Sequence, residues 1–279
     1  MARAMLTPHH SFPSYEPAIR HEAVSFPGEG ITLRGWFFPA DHPRGTVIFL
    51  HGRNQNRSAA TVVAQRLVPR GWEVLAYDSR AHGESGGRFS TFGYWERRDL
   101  SRAIDFLGKD RVVAMGVSLG GAVAIQAAAD DPRIAEVISI SAFASMREVV
   151  RERFPPLLAP SSLGPAFRAA EALGNMRVDG ADTVAAARQV RVPTLVLHGA
   201  EDRFVPPEHA AEIQAALPGE SALVLVPGAG HDDVLASEEA WRAITSWLEG
   251  PPLSPGRLSG LPAPETGITG VGATAGVGP

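Results

Sequence analysis

The chain has 279 residues, 44% of them hydrophobic and 20% charged, with a net charge of −4 and no cysteine. That is the make-up of an ordinary globular protein, long enough to bury one substantial core. It excludes disulfides and cysteine-based zinc or nucleophile chemistry, offers no basic footprint for nucleic acid, and includes no run approaching the ~20 apolar residues of a membrane span. Met1 to Phe12 lacks the apolar stretch of a signal peptide, so the expected location is cytoplasmic.

Residues 1–22 read as an N-terminal arm ahead of a domain over 23–249. Val24 to Phe26 and Thr32 to Phe38 are the first expected strands, and Thr46 to Leu50 is a compact apolar strand ending at His51-Gly52. A helix is expected over Ser58 to Val68, a strand over Glu73 to Tyr77, and a helix over Trp95 to Leu107, where Leu100, Ala103, Ile104 and Leu107 recur at helical spacing. Arg111 to Met115 reads as a strand and Leu119 to Ala129 as a helix of small residues. Val137 to Ile140, Thr194 to Leu197 and Ala222 to Val226 are further strands, with helices over Glu208 to Leu217 and Glu238 to Leu248. This alternation predicts a mostly parallel central sheet with helices on both faces. Residues 143–189 are helix-prone but broken by Pro155, Pro156, Pro160, Gly164 and Pro165, and lie between two core strands, which predicts an inserted helical lid. Residues 250–279 are rich in Pro and Gly with few large apolar side chains, a composition that predicts a disordered tail.

Gly116-Val117-Ser118-Leu119-Gly120-Gly121 fits the G-x-S-x-G pattern at a strand-to-helix junction. A serine at so tight a turn sits in strained backbone that larger neighbours than Gly116 and Gly120 would crowd. Its hydroxyl projects above the sheet, beside the positive end of the following helix. A hydroxyl needs a base to take its proton and a third group to orient that base. Asp202 stands in the loop after the Thr194 strand, with Glu201 as the neighbouring alternative, and His231 follows the last strand in a glycine-rich loop. The order serine, acid, histidine is the one that accompanies the G-x-S-x-G turn between strand and helix. His82 is a rival base, but it precedes the serine. Two backbone donors should face the developing oxyanion: the amide of Leu119, and that of Arg53 in the loop after the Thr46 strand, with Asn54 or Gln55 as alternatives. The Arg53 side chain could bind an acidic group of a substrate or pair with a nearby carboxylate. Phe154, Leu157, Leu158 and Phe167 of the insertion are the expected lining of an acyl pocket, unless they pack the lid onto the core.

His51-Gly52, Asp78 to Ser85, Gly116 to Gly121, His198 to Asp202 and Gly230-His231 occur in the order typical of α/β hydrolases. Over Val24 to Leu248 the chain resembles the branch holding bacterial esterases and serine-aminopeptidase-like or monoacylglycerol-lipase-like proteins. The resemblance implies the α/β-hydrolase fold and a structural role for Asp78 and Arg80 beneath the site, although Ala81 stands where that pattern more often has glycine. It implies a serine hydrolase that cleaves small to medium acyl esters through Ser118, His231 and Asp202, with a small-molecule ester as partner, no cofactor and no metal. Thioesterase, lipase and peptidase activities use the same three residues and stay open. So does a catalytically silent interaction protein on this fold. His51 and His198, each before a glycine at a strand end, read as structural hydrogen-bonding groups.

Overall fold

The computed structural model describes residues 1–153 and 160–250. The tail from 251 onward, and with it nearly all of the segment expected to be disordered, lies outside the described residues. Eight strands form one sheet: β1 (Glu22–Pro27), β2 (Thr32–Phe38), β3 (Gly45–Leu50), β4 (Trp72–Tyr77), β5 (Val112–Val117), β6 (Ile134–Ile140), β7 (Thr194–Gly199) and β8 (Ser221–Val226). Their spatial order is β1-β2-β4-β3-β5-β6-β7-β8. The β1–β2 and β2–β4 pairs are antiparallel, and every pairing from β4 to β8 is parallel. Parallel strands covered on both faces should be apolar throughout rather than alternating. β4, β5 and β7 are indeed buried at every position.

The helices are α1 (Ala2–Leu6), α2 (Thr61–Leu67), α3 (Glu96–Leu107), α4 (Leu119–Ala128), α5 (Met146–Glu152), α6 (Leu163–Gly174), α7 (Thr183–Ala187), α8 (Glu208–Ala216) and α9 (Glu238–Glu249). One core packs α3, α4 and α8 on one face of the sheet through residues such as Leu75, Leu100, Ile104, Val123 and Ile213. The other packs α2 and α9 on the opposite face through Val63, Leu67, Trp241, Ile244 and Trp247. α5, α6 and α7 occupy the connection between β6 and β7, where the sequence predicts an insertion. Among the described residues no helix is long and apolar enough to cross a membrane.

This topology brings the C-terminal ends of β3, β5, β7 and β8 to one edge of the sheet. In open parallel sheets that edge is where ligands bind. Register fixes the depth: Leu50 lies beside Gly116, Val117 beside Ile140, and Ile140 beside Leu197. The turns leaving β3, β5 and β7 therefore emerge together.

Candidate active site

Ser118 joins β5 directly to α4 with φ 52° and ψ −112°, a left-handed backbone for a residue with a side chain. Such a conformation costs about 1–3 kcal/mol and persists only where the surroundings enforce it. Here they do so sterically. A Cβ at Gly116 would stand 2.3 Å from the Gly120 carbonyl, and one at Gly120 would stand 2.1 Å from the Leu50 carbonyl oxygen. Only glycines let β3, β5 and the start of α4 come this close.

The structure brings Ser118, His231 and Asp202 into a row. His231 Nε2 lies 3.0 Å from Ser118 Oγ, and His231 Nδ1 lies 2.7 Å from Asp202 Oδ2. A carboxylate can only accept, so Nδ1–H donates to Asp202 and Nε2 is left to accept from the serine hydroxyl. Asp202 is itself held on all sides. Its Oδ1 accepts the amide N–H groups of Phe204 and Val205, each at 2.8 Å, and His198 Nε2 is 3.2 Å from Oδ2. Burial alone would raise its pKa, but the bonds from His198, His231 and the Val205 amide hold the carboxyl well below the usual carboxylate range. Glu201 is exposed.

The loop after β3 distinguishes among the three amides considered for the oxyanion. Gly52 N–H donates to Gln55 Oε1 at 3.0 Å, Asn54 N–H to His82 Nε2 at 3.3 Å, and Gln55 N–H to the Gly52 carbonyl at 3.2 Å. Among the described residues the Arg53 amide has no acceptor within the protein. Leu119 N–H opens α4 and so has no intrahelical acceptor either. Among the described residues the Arg53 side chain pairs with no carboxylate. Its Nη2 donates to the carbonyls of Met5 at 2.8 Å and Thr7 at 3.0 Å, and burial lowers its pKa.

Both ring nitrogens of His82 are engaged by groups other than the serine hydroxyl. Its Nδ1–H donates to the Arg80 carbonyl at 2.9 Å, and its Nε2 receives the Asn54 amide. His51 is built alike, with Nδ1–H on the Gly52 carbonyl at 2.7 Å and Nε2 receiving the Ser79 amide at 2.9 Å. Beneath them Asp78 is fully buried and accepts from the Arg57 amide at 2.7 Å, the Arg57 guanidinium at 2.5 Å and the Glu84 amide at 2.8 Å. Arg80 grips Asp99 through two bonds of 2.7 and 2.8 Å. Both ion pairs brace the loop under the site.

Ser118 and His231 open into a cavity of about 710 Å³ whose walls include Met5, Phe92, Phe143, Val149, Val150 and Phe204. Of the four residues expected to line it, Phe154, Leu157 and Leu158 lie outside the described residues. Phe167 is buried in the main core and lies under the Arg147 guanidinium at 4.9 Å; it does not border this cavity. Its position on the inner face of α6 turns the ring towards the core. Composition did not single out Phe204, whose ring centroid stands 4.8 Å from that of His231 and 3.5 Å from Arg153 Cζ. Among the described residues no cluster of His, Asp and Glu forms a metal-holding group.

Residues 41–172 match the family model of the serine aminopeptidases, S33, and residues 174–254 match that of TAP-like proteins. An uncharacterized protein of Mycobacterium tuberculosis is 30% identical over 215 residues, 74% of this chain and 70% of its own length. The uncharacterized protein YfhR of Escherichia coli O157:H7 is 28% identical over 229 residues, 77% of this chain and 75% of its own. Among solved structures, the esterase Pf2001 of Pyrococcus furiosus superposes with a TM-score of 0.70 at 22% identity, covering 87% of this chain and 98% of that one. The chain belongs to the α/β-hydrolase family.

Proposed function

We propose that this protein is a serine carboxylesterase acting on small to medium acyl esters. The observation that carries the reading is the row Ser118–His231–Asp202, with bonds of 3.0 and 2.7 Å, at the wall of an apolar cavity. Ser118 Oγ attacks the ester carbonyl as its proton passes to His231 Nε2. The imidazolium so formed is stabilised by Asp202, which stays ionised. The free amides of Arg53 and Leu119 receive the oxyanion, and the positive end of α4 adds to their field. His231 then protonates the leaving alcohol as the C–O bond breaks. Water, deprotonated by the same imidazole, releases the acid from Ser118.

Rates on a p-nitrophenyl ester series test this. Wild type should turn over, and Ser118→Ala and His231→Gln should fall at least about a thousandfold. A folded wild type inert towards every ester, or a Ser118→Ala variant of equal rate, would refute it.

A further inference from the structure

The N-terminal arm, which sequence reading leaves without a role, is fastened to the loop that carries the Arg53 amide. Arg53 Nη2 reaches the carbonyls of Met5 and Thr7, at the C-terminal end of α1, where carbonyls have no intrahelical donor. His9 N–H donates to Asn54 Oδ1 at 2.7 Å, and Ser11 Oγ–H donates to the Asn54 carbonyl at 2.9 Å. Asn54 has φ 68°, so the arm clasps the one left-handed residue of that loop, next to Arg53. Leu6 is fully buried and its carbonyl receives the Ser90 amide at 2.8 Å. Anchored at these points, the arm lays Met5 along the cavity that opens from Ser118, facing Phe92, Phe143, Val149 and Val150.

We infer that the acyl chain of the substrate runs beneath this arm, and that Met5 is the residue that sets its length. The inference rests on the esterase reading above. The acyl class follows from the wall. Most of the side chains lining the cavity with Met5 are apolar, and the Arg53 guanidinium is taken up by backbone carbonyls and lies 5.6 Å from the centre of the Phe92 ring. An uncharged aliphatic chain suits the stretch walled by Met5, Phe92, Phe143, Val149 and Val150. Among the described residues the one guanidinium lining the cavity besides that of Arg53, that of Arg153, stands over the Phe204 ring beside His231. Phe92 and Phe143 are locked in the core, whereas Met5 is half-buried on a five-residue helix and its unbranched thioether adapts to what it covers.

The test uses the full chain and p-nitrophenyl esters from acetate to decanoate, with Met5→Trp and Met5→Ala beside wild type. Met5→Trp should lower the ratio of kcat/KM for octanoate to that for acetate by about tenfold or more, and Met5→Ala should move the optimum to longer chains. Opposite shifts from two changes at one position are not produced by general loss of structure. Coincident chain-length profiles in all three proteins overturn the inference while leaving the esterase reading standing. Parallel loss across the series in both variants, with fluorophosphonate labelling lost as well, makes the arm a structural clasp and overturns it too. A wild type that hydrolyses no ester overturns both readings together.

Discussion

Replacing Gly120 with alanine probes one of the closest backbone approaches in the molecule. The new Cβ would stand 2.1 Å from the Leu50 carbonyl oxygen and 2.6 Å from its carbon, both backbone atoms at the C-terminal end of β3. Ordinary contact begins near 3.4 Å, so the start of α4 must retreat by about 1.3 Å, the difference between those distances. Overpacking of this kind costs about 1–3 kcal/mol. At about 2–4 °C per kcal/mol for a domain of this size, the melting temperature should fall by roughly 5 °C. The larger effect falls on chemistry. The Leu119 amide rides on the displaced turn, and a misplacement of about 1 Å lowers a rate about a hundredfold. Calorimetry and kcat on a p-nitrophenyl ester read the two effects separately. A variant with unchanged melting temperature and a kcat within about threefold of wild type would refute both the contact and the use of that amide.

Asp202→Asn keeps an acceptor for the Phe204 and Val205 amides but turns an N–H donor towards the Nδ1–H of His231. The imidazole must then carry its proton on Nε2, where it cannot take the one on Ser118, and kcat should fall about ten-thousandfold. A loss of less than tenfold would mean that Asp202 does not set the tautomer. Burial lowers the pKa of His51 to about 4 and, with help from the neighbouring His51 charge, that of His82 to about 3, below the usual 6.5. Between those values and 6.5 the unfolded chain binds more protons, so their stabilising effect is complete above pH 6.5 and declines as pH falls towards 4. His82→Gln should make the pH dependence of the unfolding free energy, read from urea titrations, shallower by at most about 1.4 kcal/mol per pH unit. Equal slopes in variant and wild type would contradict this.

Sheet and nucleophile turn were legible because their signals are local. The apolar runs of β3, β4 and β5 stand between glycine-rich turns, and G-x-S-x-G carries its own steric logic. β5 runs two residues further than Met115, since Gly116 and Val117 still pair with Ser139 and Ile140. Chain order pointed to Asp202 and His231, and the structure sets His231 against Ser118 and Asp202 against His231. The cavity wall was not. Phe143, Val149 and Val150 come from the expected insertion, but apolar spacing alone does not say which face of a short helix meets the cavity, and Phe167 turns inward. Met5 and Phe92 come from segments distant in sequence, joined to the site by side-chain bonds such as those of Arg53 and Asn54. No pattern within residues 1–11 announces those partners.

The most direct measurement is reaction of the folded protein with a fluorophosphonate, followed by mass spectrometry of the modified peptide. One adduct per chain, on Ser118 and absent from Ser118→Ala, is the expected result. A folded protein that takes up no label, or an adduct that persists in Ser118→Ala, would contradict the assignment of Ser118 as an activated nucleophile.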